Sequence, residues 1–469
     1  MNHLHLKNTS QFQRLTGLAS LASFFFLALP SPSHAVEVTF EQDSRLPIVY
    51  INAAVKTGSV SDPKGQSGLT NFMGEMLLRG TQKQTKKQID LALDQIGGRL
   101  EVETRLESMI FRGAVISTQL QPFLSLVTEM LTEPAFPESE IKKLKSEVIS
   151  VLQEERGNDA ILASKFFNQF LFRGHPYGNS ALGKMSDVQN FDKAQINSHY
   201  NRLIRDPLLL VVGTGDASPE ILLNWGENLA KTRTTTLAAT GVKESIPTPS
   251  TPPLDSERRR LLIVDKPDRT QTQINIGQIG IKMTDPEYFP LYLGNYAFGG
   301  HSFSAILMTE IRVKRGWSYG ANSNFRHGLQ PRSWAIHLFP AAKDAPAALK
   351  YTMGLVTDLK EKGLSSEKFQ FAQTSLINSS GFMYNTPRKR VENTLIEKTL
   401  NLPEGFMRSY ASELKKLRHK DVNTALKSFI QPDKLSIVVL GTAKDLKEPL
   451  TKAGELPMDE VKVVPYTQE

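Results

Sequence analysis

Cysteine is absent from the 469 residues, which excludes disulfides, thiol nucleophiles, cysteine-held metals and a lipid anchor on cysteine. The 9 histidines include no pair at i+3 or i+4, so no helix carries two imidazoles on one face. Long blocks of one charge are also missing. The 56 basic and 48 acidic residues give a formal charge of +8, spread without basic runs or an aromatic-basic motif, so nucleic acid is not an expected partner. Walker and dinucleotide fingerprints are absent, which leaves phosphate binding without support. After residue 35 no segment is apolar for 18 residues, the length a bilayer span needs. What is present is 40% apolar residues with 24 Phe, enough for a sizeable core divided among two or three domains.

The first 35 residues have the order of an export signal. Lys7 and Arg14 precede an apolar run from Leu15 to Leu29, followed by Pro30 and a small-residue stretch ending Ser33-His34-Ala35. Cleavage after Ala35 is expected, giving a mature chain that starts at Val36, lacks Lys7 and Arg14, and works in an exported compartment. That compartment would be the periplasm in a Gram-negative bacterium.

The remainder reads as a tandem pair. Asp206 to Asp216, with its core Leu-Leu-Leu-Val-Val-Gly-Thr-Gly, is echoed by Pro432 to Asp445, with Leu-Ser-Ile-Val-Val-Leu-Gly-Thr. Each is a strand closing on Gly-Thr, and each follows an amphipathic segment, Lys193 to Leu203 or Lys420 to Ile430. Gly213 and Gly441 lie a domain length apart, too far for a solenoid repeat. Residues 231–256 run from a Thr-rich stretch into Pro247, Pro249, Pro252 and Pro253 and are expected to be a linker between domains 36–230 and 257–469. Strand-like runs at Leu46 to Val55, Leu261 to Val264 and Thr272 to Ile281 open the halves, helices follow, and strand returns. The expected class is α+β, with helices covering one face of a sheet in each half.

Gly68-Leu69-Thr70-Asn71-Phe72-Met73-Gly74-Glu75-Met76-Leu77-Leu78-Arg79-Gly80-Thr81 resembles the zinc-helix region of the M16 family (pitrilysin, insulysin, mitochondrial processing peptidase). There an inverted H-x-x-E-H motif sits between Gly-Leu and Met-Leu-x-x-Gly-Thr. The frame is kept and the chemistry is not: Asn71 and Glu75 stand where the family has its two histidines, and Gly74 where it has the general base. The family's third ligand, a Glu on a later helix, falls near Leu144, with Glu147 one turn away. Zinc favours imidazoles with a carboxylate, so no metal is expected in this chain.

The resemblance continues along the mature chain. Gly97-Gly98-Arg99-Leu100, followed by an alternating strand to Val115, is similar to the family's substrate-binding edge strand, which implies substrate contacts at Leu100 and Glu101. Phe172 to Gly178 is similar to its Gly-His-Pro-Tyr-Gly loop, and His175 reads there as a turn-ordering histidine. Gly299-Gly300 and Glu310 to Tyr319 resemble the signature of the second half, a Gly-rich loop that approaches substrate backbone followed by a helix with Glu-x-Arg and then a Tyr. Arg312 and Tyr319 have the spacing of the pair that reaches the scissile carbonyl. Ser304 to Lys314 has helical character, with Phe303, Ile306, Leu307 and Ile311 on one face and Gly316 placed to end it in a left-handed cap. By themselves, Arg312 and Arg315 also fit a simpler role at a helix C-terminus, and Tyr319 fits packing.

The resemblance implies a LuxS/MPP-like fold forming half of a clamshell chamber. It implies a non-zinc-binding subunit of a heterodimeric metallopeptidase, with Arg312 and Tyr319 serving a peptide substrate and zinc supplied by a partner with H-x-x-E-H. The alternative is a core-protein-like subunit that binds peptides or organises an assembly without catalysis.

Overall fold

A computed structural model describes residues 36–203, 209–238, 250–252, 257–301 and 303–469. The leader read at residues 1–35 and most of the expected linker lie outside the described residues. Among the described residues eleven strands form two sheets. The first contains β1 (Glu37–Gln42), β2 (Ile48–Val55), β3 (Arg99–Thr104), β4 (Met109–Ile116) and β5 (Leu209–Gly215), in the order β1-β5-β2-β4-β3. The second contains β6 (Arg260–Asp265), β7 (Gln273–Ile279), β8 (Ala321–Phe325), β9 (Ser333–Leu338), β10 (Ser436–Gly441) and β11 (Val461–Pro465), in the order β11-β6-β10-β7-β9-β8. Removing β11 makes the two orders identical. In both sheets the strand ending in Gly213-Thr214-Gly215 or at Gly441 runs parallel to the first strand and antiparallel to the second.

β5 and β10 are buried at every position, as uninterrupted apolar runs require when both faces of a sheet are covered. One face of each sheet meets helices of its own half. Phe72, Met76, Phe123 and Leu144 belong to the first core, and Leu293, Leu307, Leu349 and Leu426 to the second. The other face is covered by exchange. The Asp159–Phe172 helix of the first half lays Phe166, Phe167 and Leu171 against Leu262, Val264, Val438 and Leu440 of the second sheet. The Pro387–Thr399 helix of the second half returns Val391 and Leu395 to Ala54, Ile110, Leu210 and Val212 of the first. Gly277 permits the first of these contacts, since a Cβ there would come within 2.9 Å of the Phe167 ring.

Charged groups pin both exchanged helices. Lys266 on the second half donates to Asp159 at 2.6 Å and to the carbonyl of Arg156 at 3.1 Å. Arg390 grips both carboxylate oxygens of Glu41, and Lys398 pairs with Glu37. Replacing Val391 by Ala removes two buried methyl groups from this seam. The expected cost is about 1–2 kcal/mol, checked as a lower urea midpoint at unchanged m-value.

Several sequence expectations need correction. The Pro219–Ala238 helix continues through 231–238, part of the expected linker, because extending an established helix over Thr residues is far less costly than starting one. The segment expected as one strand from 97 to 115 is a hairpin, β3 and β4, reversing at 105–108. Phe303 does not share the buried face of Leu307 and Ile311: helix begins only at Ile306, and the Phe303 side chain is 70% exposed.

Candidate functional site

The Leu69–Leu77 helix begins from Gly68 in left-handed conformation (φ 94°) and is tied down by Asp62. That carboxylate accepts from the backbone N–H groups of Gly68 (2.7 Å) and Thr70 (2.8 Å) and from the Thr70 hydroxyl (2.6 Å). The Thr70 oxygen also lies 2.8 Å from His199 Nε2, while Arg202 donates to His199 Nδ1 at 3.0 Å. A hydroxyl, an imidazole and a carboxylate thus meet, but Thr70 is wholly buried and Arg202 occupies the ring nitrogen a carboxylate would need. The cluster anchors the helix and has no nucleophile open to solvent.

Burial pushes the His199 imidazole down to about 3 and the Asp62 carboxyl up to about 6. The unfolded chain therefore takes up a proton at His199 between about pH 3 and 6.5, so this residue makes the protein less stable as pH falls through that window. Asp62 acts with the opposite sign between about pH 4 and 6, where the folded state binds the extra proton. His199→Gln leaves Asp62 unopposed. Relative to the parent, the variant is expected to gain stability on acidification from pH 6 to 4, read as the difference in melting temperature at each pH. An unchanged difference across that range would remove the assignment.

Asn71 and Glu75 lie one turn apart on this helix, both half-buried. Gly74 faces the sheet: a Cβ there would lie 3.0 Å from Met109 Sδ and 3.3 Å from Val102 Cγ2. The space a general base would occupy is filled by β3 and β4. Of the two positions considered for a third ligand, Leu144 is core and Glu147 is bound by Arg79, with Nη2 to Oε2 at 2.5 Å and Nη1 to Oε1 at 3.3 Å. Arg79 also approaches Glu140 at 3.7 Å. Burial raises the Glu75 pKa, Arg79 opposes that shift, and Glu147 adds to it. A guanidinium among carboxylates thus stands where the family's metal chemistry would be, and the donors present do not fit zinc. Among the described residues no group of three or more His, Asp or Glu could hold a metal ion. Arg79 lay inside the motif frame, but at one of its variable positions, so the spacing alone did not mark it.

The second constellation comes together. The stretch Met308–Val313, carrying Glu310 and Arg312, is π-helical, as is Tyr296–Gly300; such wide turns recur at functional sites. Gly316 has φ +65° and its N–H bonds to the Arg312 carbonyl at 3.0 Å, the left-handed end expected there. The chain then reverses, and the Ser318 hydroxyl fixes the turn by donating to the Gly320 carbonyl at 2.6 Å and accepting from the Phe339 N–H at 2.9 Å. Tyr319 sits in this turn, just before β8, with 77% of its surface exposed. The Arg312 guanidinium lies 4.3 Å from the Tyr319 ring centroid and 5.8 Å from that of Phe303.

The three cations of this segment differ in what they touch. Glu310 binds Lys314 at 2.7 Å and Arg315 at 2.9 Å, and Arg315 also stacks on Tyr351 at 3.4 Å. The Arg312 guanidinium makes no hydrogen bond or ion pair among the described residues. A role limited to the helix end would suit any of the three equally, yet only Arg312 keeps its donors open beside an exposed phenol.

Gly299 is buried, and a Cβ on it would fall 2.3 Å from Ser323 Oγ, so close packing on β8 accounts for it. Gly300 is exposed at the end of the same π-turn. Leu100 and Glu101 lie on β3, the outer strand of the first sheet, with Leu100 half-buried and Glu101 exposed. They border a cavity of about 530 Å³ between that sheet and the Pro387–Thr399 helix, lined also by Tyr50, Arg99, Arg112 and Arg388. His175 orders its loop as expected, with Nδ1 accepting from the Tyr177 N–H at 3.1 Å and Nε2 facing the Ser250 carbonyl at 2.9 Å.

Two sheets of one topology, each backed by helices and cross-covered by a helix of the other half, define the class of protein, and comparison with known proteins identifies it. Residues 37–184 match the model for insulinase (peptidase family M16), and residues 190–376 match the peptidase M16 inactive domain. The chain belongs to the M16 family, and it lacks that family's zinc motif. It is 23% identical over 412 residues to a Helicobacter pylori protein named non-peptidase homolog YmxG, an alignment covering 87% of this chain and 92% of that one. A Pseudomonas fluorescens structure described as a peptidase M16 inactive domain superposes with a TM-score of 0.77 at 21% identity, over 87% of this chain and 96% of that one. The periplasmic protease PqqL of Escherichia coli superposes with a TM-score of 0.70 at 14% identity, and the match spans 91% of this chain and 50% of PqqL. Among the described residues no helix is long and apolar enough to cross a membrane.

Proposed function

We propose that this chain is the non-zinc-binding subunit of an exported heterodimeric M16 metallopeptidase. The observation that carries the reading is the exposed Arg312–Tyr319 pair, with its donors open, in a chain whose zinc-helix position is closed by packing and by Arg79. In the assembled enzyme the partner, bearing H-x-x-E-H, supplies zinc and the general base. Arg312 and Tyr319 donate hydrogen bonds to the scissile carbonyl as it gains negative charge, a stabilisation that counts only in the transition state. Peptide lies extended along the β3 edge, where main-chain pairing at Leu100 and Glu101 gives affinity with little choice of sequence. Gly300, exposed in the second half, takes the family's Gly-rich-loop contact with substrate backbone. Half-length coverage of PqqL supports pairing with a second chain of similar size.

The relative named non-peptidase homolog, matched over nearly its whole length, favours a second reading in which the chain captures peptides or organises an assembly without hydrolysis. One experiment separates the two. The purified chain is mixed with an M16 chain containing H-x-x-E-H encoded beside it, and cleavage of an unfolded peptide is followed with and without chelator. Chelator-sensitive cleavage that needs both chains supports the subunit reading. Full activity of the zinc-bearing chain alone supports the assembly reading.

A further inference from the structure

The two sheets present equivalent rows of side chains on the faces covered by the exchanged helices. In the first, the pairings Glu101↔Arg112, Arg112↔Asn52 and Asn52↔Val212 line up one residue from each of four strands. In the second, Asn322↔His337, His337↔Asn275 and Asn275↔Val438 form the matching row. One step along, Glu103 opposite Ile110 corresponds to Asn324 opposite Ala335. A charged row in one half is thus replaced by a row of carboxamides and an imidazole in the other.

That neutral row borders a cavity of about 180 Å³, to which the Asp159–Phe172 helix adds Ser164 and Asn168. Asn275 is 5% exposed, and its amide nitrogen has no hydrogen-bond partner. A buried amide left unsatisfied is destabilising by itself, and this one lines an opening of the right size for a partner. His337 Nε2 donates to Gln273 Oε1 at 2.9 Å, and burial lowers the imidazole pKa, so the ring is neutral with Nδ1 left as an acceptor. Asn322 and Asn324 are exposed at the mouth. The one charged residue of the lining, Arg326, lies beyond the end of β8 and is solvated.

We infer that this cavity binds a neutral carboxamide group, with Asn275 donating to its oxygen and the mouth asparagines completing paired amide–amide hydrogen bonds. Where the chain holds extended peptides, a step that rests on the function proposed above, the cavity selects a Gln or Asn side chain. The same chemistry is available from free glutamine.

The test is calorimetric titration of the full chain with L-glutamine and with nine-residue Ala/Gly peptides carrying a central Gln, Leu or Glu. The Gln peptide is expected to bind about tenfold more tightly than the Leu peptide, because Leu leaves Asn275 unpaired. Asn275→Leu, which substitutes a buried side chain of similar volume, and Asn322→Ser, at an exposed position, are each expected to reduce that preference to less than about threefold. Their melting curves report that the fold is retained. Binding of free glutamine without any peptide supports the carboxamide site while removing the peptide-holding reading. Equal binding of all three peptides, or preference for the Glu peptide through Arg326, overturns the inference and leaves peptide holding intact. Silence from every probe overturns both.

Discussion

Arg312→Ala is expected to lower kcat of the proposed two-chain peptidase by about 100-fold to 1,000-fold with little change in KM, the loss typical of removing one preorganised donor to a developing oxyanion. Tyr319→Phe keeps the ring against which the guanidinium rests, 4.3 Å away, and removes only the phenolic donor. Its expected loss is about 10-fold to 100-fold. The double variant should lose less than the product of the two, because the ring and the guanidinium hold each other in place. Arg315→Ala is the control. Arg315 is committed to Glu310 and Tyr351, so its removal is expected to cost less than about threefold in kcat and to show instead as reduced stability. Equal effects of Arg312→Ala and Arg315→Ala would assign both to the helix end and remove the catalytic contact. Zinc content of the complex, measured in parallel, should be identical for all four proteins.

How much of this was legible in the sequence depended on whether the signal was local. The Gly-Thr strands β5 and β10 repeat as contiguous apolar runs, and their pairing with equivalent neighbours follows from that repeat. Gly316 as a left-handed helix end was legible because few other residues adopt positive φ without strain. β1 was not: Glu37–Gln42 has only Val38 and Phe40 as apolar residues among polar ones, and the cover that half-buries it comes from the Pro219–Ala238 helix far along the chain. The same holds for β11, whose five residues are largely exposed.

The exchange of helices between the halves had no local signature except a surplus. Asp159–Phe172 carries Leu162, Phe166, Phe167, Phe170, Leu171 and Phe172, more apolar surface than one amphipathic face accounts for. That surplus is the second sheet's share. At the candidate site, spacing was enough to bring Arg312 and Tyr319 together once the turn at Gly316 was granted. Spacing could not foretell the π-helical register that leaves the Arg312 guanidinium without a hydrogen bond or ion pair, nor the crowding at Gly74. Both depend on which side chains the other elements present.

Restoring the family's motif in this chain is therefore expected to fail. The triple change Asn71→His, Gly74→Glu, Glu75→His rebuilds H-x-x-E-H in sequence, but two separate obstacles remain. At position 74 a Cβ alone would lie 3.0 Å from Met109 Sδ and 3.3 Å from Val102 Cγ2, so a whole Glu side chain must displace β3 and β4 and bury a carboxylate with a single hydroxyl, that of Thr104, beside it. Overpacking and an unpaired buried charge together are expected to cost about 4 kcal/mol, near the upper end for single sites. The second obstacle is Arg79, which holds Glu147 by two hydrogen bonds and presents a fixed positive charge where a dication would have to sit. Adding Arg79→Ala removes the second obstacle and not the first. The triple and quadruple variants should both unfold at lower urea concentration than the parent, with Gly74→Glu alone reproducing most of the loss, and neither should retain stoichiometric zinc after dialysis or cleave peptide unaided. A triple variant that kept the parent's stability and held one zinc per chain would show that the helix can move off the sheet, and the closed zinc-helix position would no longer support the proposal that zinc comes from a partner.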